Sequence, residues 1–81
     1  MSDTKRITMF GADWCGDCRR AKAVLDREQI DYDYIDTEAI VDAADRARAI
    51  SGRMNIPVIV FPDGSHLVEP SDSELLAKLA A

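Results

Sequence analysis

The 81-residue chain has little of what several common functions require: two cysteines, one histidine, and ten lysines and arginines against fifteen acids. The resulting net charge of −5 argues against binding to nucleic acid or to an anionic membrane surface. No apolar run approaches the roughly 20 residues that span a bilayer. The first residues, "MSDTKRITMF", lack the apolar core of a signal peptide. We therefore expect a cytoplasmic protein that works away from membranes.

The small number of cysteines also limits the kinds of functional site that the chain can contain. Residues 1–81 have room for one domain with one modest core. In a reducing compartment, Cys15 and Cys18 are expected to be catalytic or metal-binding rather than a structural disulfide. A zinc site needs four ligands, and only His66 remains to join the two cysteines. We therefore expect no metal site and interpret the pair as redox-active.

The spacing of the apolar residues predicts the element order β-α-β-α-β-β-α. Strands are predicted over residues 5–10, 30–36, 58–61 and 66–68. Helices are predicted over residues 15–29, over 40–52 and from 71 onward. The apolar stripe of the second helix is predicted to contain Ile40, Ala43, Ala44, Ala47 and Ile50. At the third helix, Ser71 and Glu74 form the capping-box pattern.

The connections between these elements predict an α/β architecture. The first crossover makes the first two strands parallel, and the tight turn at 62–65 makes the last two antiparallel. The outward acids Asp31 and Asp33 suit a strand at a sheet edge. The expected fold is a four-stranded mixed sheet with helices on both faces, and a Cys-x-x-Cys opening its first helix is typical of a thioredoxin-like redox site.

The three-residue spacing of the two thiols in the stretch "CGDC" gives them different positions at the start of the first helix. Cys15 is predicted at a helix N-terminus, where free backbone N–H groups and the helix dipole stabilise a thiolate. Cys18 lies one turn further on the same face and is expected to be more buried. Cys15 is therefore the predicted nucleophile and Cys18 the resolving or buried thiol. Gly16 leaves the backbone open to a partner. The carboxylate of Asp17 opposes the thiolate, and the sequence leaves the net effect open.

Pro57 is the second candidate feature, because it opens the third strand directly after Ile56. One interpretation is an ordinary trans proline at the start of a strand. The other is a cis proline that faces the cysteines and leaves the backbone of Ile56 free to pair with an extended substrate. Residue type alone gives a cis bond in only about 5–6% of cases.

Three stretches, "ITMFGADWCGDC", "NIPVIVFPDGS" and "VEPSDSEL", resemble glutaredoxin-type proteins, and most closely the mycoredoxin branch. The resemblance covers essentially the whole chain. It implies a thioredoxin fold, a cis Pro57, and thiol–disulfide exchange on mixed disulfides between proteins and a low-molecular-weight thiol. It makes Cys15 the attacking thiol. The small thiol is then a co-substrate, and no bound cofactor is implied.

The sequence departs from glutathione-dependent glutaredoxins at three places. They carry a basic residue where this chain has Ala12, a Tyr where it has Asp17, and a Gly-Gly where it has Glu69-Pro70-Ser71. Mycoredoxins lack the same features and use mycothiol, a sugar–inositol thiol without the two carboxylates of glutathione. The resemblance therefore favours mycothiol over glutathione.

The resemblance also suggests residues that bind the substrate, each with an ordinary alternative. Trp14 is either a substrate platform or a packed aromatic, and Arg53 either contacts the ligand or is a surface charge. Ser71 and Asp72 either hold the small thiol or only cap the last helix.

Two other functions stay open for the chain, which we expect to be a monomer. They are an iron–sulfur cluster carrier and a dithiol electron donor to a reductase such as ribonucleotide reductase.

Overall fold

The structure is a computed structural model that describes residues 6–80. Its elements follow the predicted order: β1 Ile7–Gly11, α1 Gly16–Arg27, β2 Tyr32–Asp36, α2 Ala43–Ser51, β3 Val58–Val60, β4 His66–Val68 and α3 Asp72–Ala80. The predicted start of the first strand at Lys5 lies outside the described residues. None of the helices within residues 6–80 is long and apolar enough to cross a membrane.

The four strands form one mixed sheet in the order β2-β1-β3-β4. β1 runs parallel to β2, with Ile7 opposite Tyr32, because α1 carries the chain back across the sheet between them. β1 is antiparallel to β3, and β3 is antiparallel to β4. The prediction of a mixed sheet is confirmed, and the strand with the outward acids lies at an edge. Because β1 is a central strand, the residues that follow it begin at the middle of the sheet and not at an edge strand.

Helices pack on both faces of the sheet, as predicted. On one face, α1 and α3 cover the larger part of the core, which contains Ile7, Met9, Cys18, Ala21, Val24, Leu25, Ile59, Phe61 and Leu75. On the other face, Ala47 of α2 packs against Phe10 and Val58. Successive residues of β1 point to opposite faces, so Met9 and Phe10 belong to different clusters. The strand β1, which leads into the Cys-x-x-Cys segment, is thus packed on both faces.

The second helix is shorter than the sequence pattern predicts. It begins at Ala43, because Asp42 takes a left-handed conformation (φ 65°) that interrupts a helix. Ile40 is 50% exposed, Ile50 is 40% exposed and Ala44 is also exposed, so the predicted apolar stripe is wrong at these three positions. Its buried part is Ala43 and Ala47 alone.

The ends of the other helices follow local capping rules. α1 ends at Arg27, two residues before the predicted end, because Gln29 takes a left-handed conformation (φ 59°). The N–H of Ile30 donates to the Leu25 carbonyl at 2.9 Å, which is the hydrogen bond of a Schellman cap. At α3 the predicted capping box is confirmed. The Ser71 hydroxyl accepts the Glu74 N–H at 3.1 Å, and the Glu74 carboxylate accepts the Ser71 N–H at 2.8 Å.

Candidate active site

Cys15 occupies the N-cap of α1, directly after the central strand. Its backbone is extended (φ −82°, ψ 117°), and its N–H donates to the Ala12 carbonyl at 3.1 Å. Its sulfur accepts the backbone N–H of Cys18 at 3.3 Å. The sulfur therefore takes the place that a Ser or Asp oxygen takes at an ordinary N-cap, where the helix favours negative charge. Because Cys15 is only partly buried, this sulfur remains open to a partner.

Cys18 has the opposite environment. It is 0% exposed and belongs to the core under α1. Burial, reinforced by a side-chain hydrogen bond with Cys15, raises the pKa of Cys18 to about 12. Its thiol therefore stays protonated at neutral pH. Of the two cysteines, only Cys15 is partly exposed.

The loop before β3 faces Cys15. The Ile56–Pro57 peptide bond is cis, as the resemblance implies, and Pro57 is fully buried. The Ile56 carbonyl oxygen lies 3.9 Å from the sulfur of Cys15. The Pro57 carbonyl accepts the N–H of Glu69 at 2.9 Å, which connects this loop to the segment before α3. The structure thus brings Cys15, Ile56 and Pro57 together.

A cavity of about 200 Å³ lies beside Ile56 on the α2 side of the site. Trp14 and Arg53 line it together with Ile56, so the structure brings these three predicted residues to one place. Trp14 is 65% exposed, and its indole N–H donates to Glu38 at 2.7 Å. It is therefore not a packed core aromatic. Trp14 and Arg53 therefore both border a space that could hold a small molecule.

The other predicted residues lie at the start of α3. Asp72 is linked to the Cys-x-x-Cys turn through Arg20, whose guanidinium donates to Asp17 at 2.8 Å and to Asp72 at 3.0 Å. A third bond from Arg20 reaches the Pro70 carbonyl at 3.4 Å. The Ser71 side chain is engaged in its capping box. Neither Ser71 nor Asp72 makes a hydrogen bond with Cys15 within the part of the chain that the structure describes.

The positions that depart from the glutathione-dependent pattern have distinct environments. Ala12 is 1% exposed, and its methyl group supplies no charge to the site. Glu69, in the stretch that the resemblance matches to the Gly-Gly of glutathione-dependent glutaredoxins, takes a left-handed conformation (φ 48°) that favours glycine. Its carboxylate accepts the Asn55 amide at 3.0 Å, and Asn55 lines the cavity beside Ile56. The carboxylate of Glu69 therefore lies near this cavity, at a position where a glycine would have no side chain.

Two residues of the site, Gly11 and Arg20, were not predicted from the sequence. Gly11 ends β1 against Cys18, since a Cβ built on Gly11 would lie 2.9 Å from the Cys18 sulfur. Arg20 holds Asp17 and the start of α3 together. The i,i+3 spacing of Asp17 and Arg20 is a sequence signal for their pairing, but the contact between Arg20 and Asp72 is tertiary. Within residues 6–80, no group of three or more His, Cys, Asp or Glu side chains could hold a metal ion.

Comparison with known proteins identifies the family to which the chain belongs. The fold and the paired cysteines define a thiol–disulfide oxidoreductase of the thioredoxin-like class. The glutaredoxin family profile matches residues 7–67, and the chain belongs to the glutaredoxin family. Members of this family work with a low-molecular-weight thiol and with protein disulfides.

Individual relatives cover nearly the whole chain. A Mycobacterium tuberculosis protein provisionally named glutaredoxin is 38% identical over 77 residues, which span 94% of this chain and 92% of the relative. Mycoredoxin 1 of Corynebacterium glutamicum is 30% identical over 76 residues, which span 93% and 94%. The crystal structure of an Archaeoglobus fulgidus glutaredoxin superposes with a TM-score of 0.84 at 23% identity, covering 94% of this chain and 87% of that one. This last similarity supports the fold.

Proposed function

We propose that this protein reduces mixed disulfides between proteins and mycothiol, with Cys15 as the attacking thiol. The observation that carries the proposal is the contrast between the two sulfurs. Cys15 is accessible and lies at a helix N-terminus, whereas Cys18 is buried and has its pKa raised to about 12. The rate of thiol–disulfide exchange depends on the nucleophile, on the leaving group and on access to the reacting sulfur. In this proposal Cys15 is the nucleophile, and its exposure determines the access.

The proposed reaction has two exchange steps. The Cys15 thiolate attacks the mycothiol sulfur of the mixed disulfide, and the protein substrate leaves as its thiolate. A second mycothiol thiolate attacks the mycothiol sulfur now bonded to Cys15. This step releases mycothiol disulfide and regenerates the Cys15 thiolate. Cys18 takes no part in either step. It can divert the Cys15-bound intermediate into an internal disulfide, which must then be reduced.

Three features support mycothiol as the small thiol. Mycoredoxin 1 is among the relatives that match nearly the whole chain. The buried Ala12 supplies no cation for a glutathione carboxylate. Glu69 places a carboxylate near the cavity that contains Trp14 and Arg53. We propose that this cavity and the start of α3 at Ser71 and Asp72 hold the small thiol, while Ile56 and Pro57 hold the protein substrate.

The test is the release of mycothiol from a labelled mixed disulfide, coupled to mycothiol disulfide reductase. Cys18→Ser should keep the activity and Cys15→Ser should lose it, with unchanged folding of both variants as the control. Glutathione should replace mycothiol poorly. Loss of activity in Cys18→Ser would contradict the mechanism and favour a dithiol electron donor. Visible absorbance of protein expressed with iron would instead favour an iron–sulfur carrier.

We further propose that the protein works in the cytoplasm as a monomer. A reducing compartment would keep Cys15 and Cys18 as free thiols. Cell fractionation tests the location, and sedimentation of the reduced protein tests the oligomeric state.

A further inference from the structure

Arg20 lies where three segments of the site meet. It donates hydrogen bonds to Asp17 inside the Cys-x-x-Cys turn, to Asp72 at the first position of α3, and to the Pro70 carbonyl. The side chains of Arg20 and its two acidic partners are each about half exposed. Three bonds from one planar guanidinium fix its position better than a single surface ion pair would.

The position of Asp17 gives this arrangement a consequence for chemistry. Asp17 lies two residues after Cys15 in the Cys-x-x-Cys turn, and its charge is close enough to the neighbouring thiol of Cys18 to help raise the pKa of that thiol. A negative charge there opposes the approach of a negatively charged reaction partner. The guanidinium of Arg20, 2.8 Å from the Asp17 carboxylate, supplies a charge of opposite sign at the same edge of the site. The contact with α3 holds the guanidinium beside the motif.

We infer that Arg20 is a specificity-determining residue, which offsets the charge of Asp17 and so sets how strongly Cys15 discriminates against negatively charged reaction partners. It needs no contact with the substrate to do so, since its charge acts through space. The inference rests on the proposed role of Cys15 as the reacting sulfur. It extends that role by naming which charges select among the disulfides that the site accepts.

The experiment compares alkylation of the reduced protein by anionic iodoacetate and by neutral iodoacetamide at one pH. In both reactions the thiolate displaces iodide, so the ratio of the two rates cancels the fraction of thiolate. Arg20→Gln should lower the iodoacetate-to-iodoacetamide ratio by about 1.4- to fivefold, the range that corresponds to exposed charge pairs. Asp17→Asn should raise the ratio by a similar factor. The double variant should return close to the wild-type ratio.

Two further variants separate charge from structure. Arg20→Lys keeps the charge but loses the planar geometry, so it should resemble wild type if charge matters and Arg20→Gln if the contacts alone matter. Arg27→Gln removes the same charge at the far end of α1 and should leave the ratio unchanged. The difference between wild type and Arg20→Gln should also shrink at about 1 M salt, where the Debye length is about 3 Å.

The outcomes distinguish this inference from the proposed function. Peptide mapping identifies the alkylated cysteine in each sample. Labelling of Cys18 before Cys15 in the wild type would overturn the proposed nucleophile. Labelling of Cys15 first, with a ratio that Arg20→Gln leaves unchanged or that Arg27→Gln lowers equally, would overturn the role of Arg20 alone.

Discussion

At the scale of single residues, Gly11 shows how closely the redox pair is packed. A Cβ at this position would lie 2.9 Å from the sulfur of Cys18 and 3.3 Å from the ring of Tyr34. The Gly11 carbonyl also accepts the N–H of Thr37 at 2.8 Å, which holds the backbone in place. We therefore expect Gly11→Ala to lower the free energy of unfolding of the reduced protein by about 1–3 kcal/mol, as overpacking does.

Urea unfolding under reducing conditions measures this effect. Gly16→Ala is the matched control, because a Cβ on Gly16 meets nothing within 4 Å. The control should match the wild type or exceed it, since alanine favours a helix more than glycine does. A Gly11→Ala protein as stable as the control would show that the Cys18 side chain can move aside.

The same scale shows which site residues a sequence can reveal. The roles of Cys15 and Cys18 are local, because helix position and a three-residue spacing fix which thiol caps and which is buried. Arg20 depends on the approach of α3 to α1, and Gly11 depends on a sulfur seven residues away in another element. Those relations exist only after the chain has folded, so the pattern of the sequence does not contain them.

At the scale of elements, the end of α1 provides a separate prediction. Gln29 is exposed and left-handed (φ 59°) at the position where a Schellman cap favours glycine. Gln29→Gly should therefore raise the free energy of unfolding by about 0.5–1 kcal/mol, since only glycine adopts this conformation without a steric cost. Thermal unfolding followed by circular dichroism measures the change. Gln29→Ala is the control and should give no gain, because alanine also has a Cβ.

Element boundaries were predicted less well than element order. Order follows from the period of the apolar residues, and it was right for all seven elements. The boundaries of α2 were not, because the left-handed Asp42 stops the helix from extending back to Ile40. Periodicity cannot show this, since Ile40 fits the helical spacing yet lies 50% exposed in the preceding turn. The capping box at Ser71 was predictable because both partners lie within four residues.

At the scale of the whole molecule, a buried thiol and a partly buried phenol make stability depend on pH. Burial raises the pKa of Cys18 from 9.0 to about 12 and that of Tyr34 from 10.0 to about 12. As pH rises, the unfolded chain therefore loses these protons before the folded protein does. The stabilising contribution of Cys18 is complete below about pH 9 and is lost as pH rises toward 12.

The reduced protein should consequently lose stability between pH 7 and about pH 10.5. One pKa unit corresponds to about 1.4 kcal/mol, so the thiol of Cys18 alone should account for a loss of about 2 kcal/mol at about pH 10.5. Urea unfolding at each pH, with a reductant present, measures it. Cys18→Ala should be less stable at pH 7, because it leaves a cavity, but its loss with pH should be smaller by that amount. An equal loss in wild type and Cys18→Ala would mean that the buried thiol is not the group responsible, and Tyr34→Phe would then identify the contribution of the phenol.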